Sequence, residues 1–396
     1  MGSGSIMIEI SRFPAPLRRR VESLVGSRIR EVSDAAFGQA GLIPLWFGES
    51  DRTTPEFITH AAATALAQGK TFYTPNRGIP ELRQAIAQYV TRLRTREIGV
   101  DRVTVTASGV NAIMLVMQAL AEPGDNVVIV TPLWPNCADA VYVLGAEPRR
   151  VALIPADNRW RLDLDRLFDA CDARTRAIFV NSPGNPTGWL ASKEEIAAIL
   201  AFCRKRRIWA IGDEVYDRIV YDRPYAPSFL DFATPDDPVI SINSFSKSWC
   251  MTGWRLGWAV APADFGDVLG KINEFNMSGA TTFVQHAGVA AIREGDPFIA
   301  EIVGRYRQAR DLVVQLLGGM GRVRLAYPQA AFYAFFQVDG MKDSLAFAKK
   351  LVGDTGVGLA PGSAFGPEGE GWLRLCFATG PARLSDALDR LAPALS

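Results

Sequence analysis

Histidine is almost absent: the 396 residues contain only His60 and His286. A His-rich metal centre is therefore excluded, and each lone histidine reads as structural. The five cysteines, Cys137, Cys171, Cys203, Cys250 and Cys376, are scattered, odd in number and form no CxxC pair. That pattern opposes a disulfide framework or a zinc ribbon and suits a reducing, cytoplasmic setting. An excess of either charge is missing too: Lys plus Arg is 43, Asp plus Glu is 42, and the net charge is +1. The balance leaves no electrostatic footprint for nucleic acid or an anionic membrane. No run reaches the ~18 apolar residues of a spanning helix. The first residues lack the ~7–15-residue apolar core of a secretory signal. Met1 to Ser5 reads Met-Gly-Ser-Gly-Ser, and residues 1–14 read as an N-terminal arm or a cloning remnant.

Several ligand motifs are also missing. Gly266 to Lys271 looks like a phosphate loop but is one residue short and lacks Ser or Thr after the lysine. Gly356-Val357-Gly358 lacks a third glycine and does not open a helix after a strand. Neither HExxH nor GxSxG occurs. Nucleotide, hydride and zinc chemistry thus find no support.

What the chain does have is 48% hydrophobic against 21% charged residues, enough for a large core. At ~150 residues per domain, its length suits one large α/β unit plus a smaller one. Around Arg18-Arg19-Arg20, the apolar Leu17, Val21, Leu24 and Val25 recur at helical spacing and predict a packed amphipathic helix. Further on, short apolar strands alternate with helices. Val103 to Thr106 runs into Ser108-Gly109 and a helix to Leu120. Val127 to Val130 follows the break at Pro123-Gly124-Asp125. Ala177 to Val180 ends in Asn181-Ser-Pro-Gly-Asn185-Pro-Thr-Gly188. Ser192 and Glu195 form a capping box before the stripe Ile196, Ile199, Leu200, Cys203. Ile208 to Ile211 ends at Asp213, and Val239 to Ile242 ends in Ser244-Phe-Ser-Lys247.

Such alternation predicts an α/β fold, a mostly parallel sheet covered by helices on both faces. Ligands in these folds sit beyond the carboxyl ends of the strands, where all the polar residues just named fall. Beyond about residue 290 the texture changes to a long helix (Pro297 to Leu317) and short strands (Ala331 to Val338, Trp372 to Phe377). It predicts a second, smaller domain.

Ser108-Gly109, between a strand and a helix, offers backbone N–H groups to an anion, most simply a phosphate. Arg255, Ser244 and Ser246 could clamp the same phosphate. A desolvated lysine at a strand edge, such as Lys247, forms Schiff bases. Asp213, at another strand end, could hold a pyridinium nitrogen. Phosphate, Schiff base and carboxylate–pyridinium together describe pyridoxal 5'-phosphate.

At this point the sequence resembles the class I pyridoxal-phosphate-dependent aminotransferases of fold type I, the aspartate aminotransferase superfamily. The matching pieces run in order from about Leu45 to Arg374. They are Tyr73-Thr-Pro-Asn-Arg-Gly78-Ile-Pro-Glu-Leu-Arg83, Thr106-Ala-Ser108-Gly109, the Asn181 to Gly188 turn, Asp213-Glu-Val-Tyr216, Ser244 to Lys247 through Arg255-Leu-Gly257, and Leu373-Arg374-Leu-Cys-Phe-Ala378. Any one of these would be weak; six in order are specific.

The resemblance implies a large cofactor domain over 50–290 and a smaller α+β domain built from both chain ends, 15–49 and 291–396. It makes Lys247 the Schiff-base lysine and the proton shuttle between the substrate Cα and the cofactor's C4′. Asp213 would keep the pyridine nitrogen protonated. Tyr216 and Asn185 would hydrogen-bond the phenolate oxygen. Ser108, the backbone of Gly109 and Val110, Ser244, Ser246 and Arg255 would hold the phosphate. Trp134 would stack on the ring, and Tyr73 would reach the phosphate of a neighbouring subunit in a homodimer. Arg374 would pair with the substrate α-carboxylate, helped by Asn185 and the Gly48 backbone. The Asn185–Pro186 bond would be cis, and Asn181 reads as a turn former behind the site. Two positions depart from the family pattern. Cys250 replaces a smaller residue three positions after Lys247. Tyr327-Pro-Gln-Ala-Ala331-Phe-Tyr333 replaces a glycine-containing segment that lines the substrate entrance in the family.

The implied activity is transfer of an L-amino acid's amino group to a 2-oxo acid such as 2-oxoglutarate by a ping-pong mechanism. Some relatives use a Lys or Arg beside the phosphate turn for a second carboxylate; here that place is the uncharged Val110-Asn111. Trp46, Phe47 and Trp134 then predict an apolar pocket and a neutral or aromatic donor. A cation for a second carboxylate must come from elsewhere, with the neighbouring subunit, Arg52 and Arg77 as options. Two rivals stand beside this reading. One is a carbon–sulfur β-lyase on the same fold, which would release pyruvate and ammonia. The other is a non-catalytic amino-acid-sensing module, which would carry a fused DNA-binding domain.

Overall fold

Runs of β-branched and apolar residues become fully buried strands, as a sheet covered on both faces requires. The structure, a computed structural model, describes residues 15–94 and 96–396; the expected arm over 1–14 lies outside the described residues. The labelled elements, in chain order, are α1 (Arg28–Ala35), β1 (Val103–Thr106), α2 (Gly109–Leu120), β2 (Asn126–Thr131), β3 (Glu147–Ala152), β4 (Thr175–Asn181), α3 (Lys193–Arg206), β5 (Trp209–Asp213), β6 (Val239–Ser244), β7 (Gly257–Val260), α4 (Asp296–Gly318), β8 (Val323–Leu325), β9 (Tyr333–Val338), β10 (Ala360–Pro361), β11 (Trp372–Cys376) and α5 (Pro381–Leu395).

Seven strands form one sheet in the order β1-β7-β6-β5-β4-β2-β3. Neighbours among β3, β2, β4, β5 and β6 pair in parallel. Strand β7 alone runs the other way, antiparallel to both β6 and β1. The capping box of α3 is present: the Glu195 N–H donates to Ser192 Oγ at 3.1 Å and the Ser192 N–H to Glu195 Oε2 at 2.7 Å. Its stripe of Ile196, Ile199, Leu200 and Cys203 is buried against the sheet side of the core.

A second sheet has the order β8-β9-β11-β10 and packs against α4, which in turn packs against α5. Ile43–Pro44 pairs in parallel with Val357–Gly358, so early and late parts of the chain share a ladder.

The packed helix expected over Leu17 to Val25 is not formed. Only Arg19–Glu22 is helical, and Leu17, Val21, Leu24 and Val25 are all exposed. One turn fixes several residues for very few hydrogen bonds. Arg18 and Arg20 instead tie the turn down by donating to the carbonyls of Val143, Tyr142 and Ala146. Among the described residues, no helix is long and apolar enough to cross a membrane. The five cysteines are free and buried.

Candidate active site

Parallel strands deliver their C-terminal ends to one sheet edge, and the polar residues follow. Ser108 lies just after β1, Asn181 ends β4, Asp213 ends β5 and Ser244 ends β6. The antiparallel β7 presents its start at the same edge, which brings Arg255 there although it precedes a strand. Gly257, opposite both Thr106 and Ser244, must be glycine: a Cβ would sit 2.7 Å from the Gly109 nitrogen and 2.8 Å from the Asn243 carbonyl. Side chains alternate across a strand end, so Asp213 faces the ligand edge while Glu214 turns away. Glu214 accepts from Ser228 and Ser241 at 2.6 and 2.8 Å and pairs with the buried Arg94 at 3.5 Å.

A cavity of about 570 Å³ opens at this edge, within the ~300–1,000 Å³ usual for ligand sites. Lys247 lies on the single turn Phe245–Ser248, whose start is capped by Ser244 Oγ accepting from the Ser246 N–H at 3.1 Å. Its Nζ donates to the Gly48 carbonyl at 2.6 Å. Burial lowers the Lys247 ammonium from 10.5 to about 8, with Arg374 and Arg255 pushing the same way and Cys376 and Glu49 opposing. Burial also raises the Asp213 carboxyl from 3.8 to about 7; the Val215 N–H and the Lys247 charge pull it back. Asp213 forms no ion pair among the described residues. Tyr216 is buried, its hydroxyl 2.7 Å from that of Tyr333.

Arg374, on β11, is 0% exposed. Its Nη1 donates to Asn185 Oδ1 at 2.9 Å and its Nη2 to the Trp46 carbonyl, while Nε has no partner. The guanidinium lies 4.6 Å from the Tyr333 ring centroid and 4.8 Å from that of Phe365. A buried charge without a counter-ion is costly, so this guanidinium fits an incoming carboxylate. The Asn185–Pro186 bond is cis, and the Asn185 N–H donates to Asn181 Oδ1 at 2.9 Å.

The groups expected to hold a phosphate sit on turns. Ser108 caps α2 by accepting from the Asn111 N–H at 3.0 Å. Ser244 Oγ donates to Ser246 Oγ at 2.9 Å. Arg255 has φ +54° and donates to the Thr252 carbonyl at 2.6 Å. A non-glycine residue held in the left-handed region is strained, a feature that clusters at ligand sites. Together with Lys247 and Asp213, these groups match a phosphate, an aldehyde and a pyridine nitrogen, the three handles of pyridoxal phosphate.

Of the residues singled out from sequence, Gly48, Gly109, Val110, Trp134, Asn185, Asp213, Tyr216, Ser244, Ser246, Lys247, Arg255 and Arg374 line this cavity. Ser108 sits one residue behind its wall. Tyr73 is 94% exposed and does not line it. Phe47 lines the cavity, but Trp46 does not; it is buried and contributes its carbonyl to Arg374. The segment expected at the entrance is buried over Ala330 to Phe332, because the Ala331 N–H pairs with the Ile219 carbonyl; only Tyr333 reaches the cavity. Arg52 and Arg77 are off the wall, paired with Glu301 and Asp267. Cys250 is buried at φ +52°, where a glycine would be unstrained. Ser27, Arg30, Glu49 and Thr252 line the cavity without having been anticipated. Glu49, beside Gly48, and Thr252, between Lys247 and Arg255, lay near recognised motifs.

Residues 42–391 match the family described as aminotransferase class I and II. The aspartate aminotransferase of Pyrococcus horikoshii is 34% identical over 96% of this chain and 97% of its own length. The aromatic-amino-acid aminotransferase 2 of Thermococcus litoralis is 33% identical over 96% and 98%. Among solved structures, the aspartate aminotransferase of Thermotoga maritima superposes with a TM-score of 0.89 at 33% identity, covering 96% of this chain and all of that one. The alanine aminotransferase of Pyrococcus furiosus does so with a TM-score of 0.90 at 29% identity, covering 96% and 99%. Fold, site geometry and likeness agree: the chain is an aminotransferase and belongs to the class I and II aminotransferase family.

Proposed function

We propose that this aminotransferase uses pyridoxal 5'-phosphate, held by the cavity just described, to move the amino group of a neutral or aromatic L-amino acid to 2-oxoglutarate. One observation carries the assignment of the site. A single cavity holds an amine with a lowered pKa, a half-buried carboxylate with no ion pair among the described residues and a buried guanidinium without a carboxylate. When bound, the cofactor supplies an aldehyde that condenses with amines and a ring that accepts electron density from the substrate Cα.

The chain's own residues do the rest. Lys247 would anchor the cofactor's aldehyde, and its Nζ would take the proton from the substrate Cα. Its lowered pKa keeps a useful neutral fraction near pH 8. Asp213 would accept the pyridine N–H, pairing the ring's positive charge with a carboxylate that burial otherwise penalises. Asn185 Oδ1 is taken by Arg374, so its amide N–H₂ is the side free to donate to the phenolate oxygen beside Tyr216. Tyr333 holds the Tyr216 hydroxyl in place. Ser108, Gly109, Val110, Ser244, Ser246 and Arg255 would hold the phosphate, and Trp134 would stack on the ring. Arg374 clamps the substrate α-carboxylate. Phe47, Val110 and Trp134 give the side-chain region its apolar character.

The domain division follows the same reading, with residues 50–290 carrying the cofactor and 15–49 plus 291–396 closing over the substrate. Tyr73, exposed in one chain, would serve the phosphate of a second copy in a cytoplasmic homodimer. The test is the visible spectrum of the protein loaded with pyridoxal phosphate and titrated with single amino acids. Loss of the visible band on adding an amino acid, and its return on adding a 2-oxo acid, is the expected result. Stoichiometric pyruvate and ammonia would instead mark the lyase. The absence of any response to amino acids would refute transamination at this site.

A further inference from the structure

The cavity wall carries four cations, and the chemistry above uses three. Lys247, Arg255 and Arg374 have their tasks; the fourth is Arg30. Arg30 lies in α1, whose other face is fixed by the buried Ile29 and Val32. Ser27 and Arg30 both line the cavity, as residues three apart on one helical face should. The Arg30 guanidinium has no ion pair or side-chain hydrogen bond among the described residues. Its neighbour Glu31 is engaged by Lys349 at 3.1 Å. Besides Asp213, the acid on the wall is Glu49, which accepts from Thr252 at 3.2 Å.

The phosphate turn supplies no charge at Val110-Asn111, and Arg52 and Arg77 are off the wall and paired. A dicarboxylic substrate clamped by Arg374 still has a second carboxylate to place. Resting on the transaminase reading above, we propose that Arg30 receives that second carboxylate and so admits glutamate and 2-oxoglutarate as the dicarboxylic pair beside the neutral or aromatic donor. The bland alternative is a solvated surface arginine, since Arg30 is exposed. A solvated arginine gives no preference; a carboxylate receiver gives one that depends on ionic strength.

The test compares single-turnover half-reactions of holoenzyme with glutamate and with alanine, for the native chain, Arg30→Met and Arg30→Lys. The readout is the ratio of kcat/KM for glutamate to that for alanine. Charge-assisted pairing in a partly open site should lower this ratio about ten-fold in Arg30→Met. Arg30→Lys should restore part of it, and raised salt should lower it in the native chain but not in Arg30→Met. Equal ratios in native and Arg30→Met holoenzyme, with both half-reactions running, would overturn the proposal while leaving transamination intact. A native holoenzyme that reacts with neither amino acid would overturn both.

Discussion

Replacing Arg374 by lysine keeps the charge and removes the fork. The native guanidinium already spans Asn185 Oδ1 at 2.9 Å and the Trp46 carbonyl, and its Nε is open. A lysine ammonium is a point donor and cannot present two parallel N–H groups to a carboxylate while holding both neighbours. Loss of one charge-assisted bond is worth about 1.5–3 kcal/mol, or roughly 10- to 150-fold in kcat/KM. Arg374→Leu removes both bonds, about 3–6 kcal/mol, or roughly a hundred- to ten-thousand-fold. The carboxylate is held alike in ground and transition states, so the loss should fall mainly on KM. The assay is the amino-acid half-reaction of holoenzyme, followed by visible absorbance over a range of amino-acid concentrations. Melting curves of each variant control for stability, because Leu leaves Asn185 Oδ1 and the Trp46 carbonyl without their donor. A folded, cofactor-loaded Arg374→Lys within about 3-fold of native kcat/KM would show that the α-carboxylate binds elsewhere.

Lys247→Ala should lower turnover about a hundred-fold or more, the scale of losing a positioned base, and should release cofactor on gel filtration; unchanged turnover would end the assigned mechanism. Asp213→Asn should stabilise the cofactor-free protein at pH 8. The native carboxyl titrates near 7 when folded and 3.8 when unfolded; between these values the folded chain holds a proton the unfolded chain has lost, so stability falls as pH rises through that window. The difference should be on the order of a few kcal/mol at pH 8 and vanish near pH 4, and identical melting at pH 8 would contradict it. In the loaded enzyme the same substitution should slow turnover, since it removes the partner of the ring nitrogen. Gly257→Ala should destabilise by at least ~1–3 kcal/mol, because its Cβ meets backbone at 2.7 Å; a fully stable variant that still binds the cofactor would show that β7 can shift.

Much of the site was legible because the fold and the chemistry share one rule. Apolar strand runs such as Val127 to Val130 must end somewhere, and polar residues at those ends mark the ligand edge. Strand β7 was not legible: Gly-Trp-Ala-Val is four residues long and follows Arg255 without a crossover helix, so nothing local reveals its reversed direction. Arg30 was hidden among 43 basic residues, because only tertiary packing of Ile29 and Val32 decides which way it points. Trp46 misled for a related reason: its ring suggested a pocket wall, whereas the structure uses its carbonyl. The turn at Arg19–Glu22 kept the helical spacing but lacked the length to bury it.

The surplus of cations on the cavity wall also bears on kinetics. With Lys247, Arg255 and Asp213 committed to the cofactor, Arg30 and Arg374 face Glu49 alone among the wall's remaining charged groups. A concave, positively charged mouth focuses field lines outward and speeds the capture of anions from solution. Both substrates and both products of a transaminase are carboxylates, so the field that hastens arrival also delays departure. Turnover by such a site is then governed by escape as much as by bond-making, and inorganic anions become natural competitors for the same landing place.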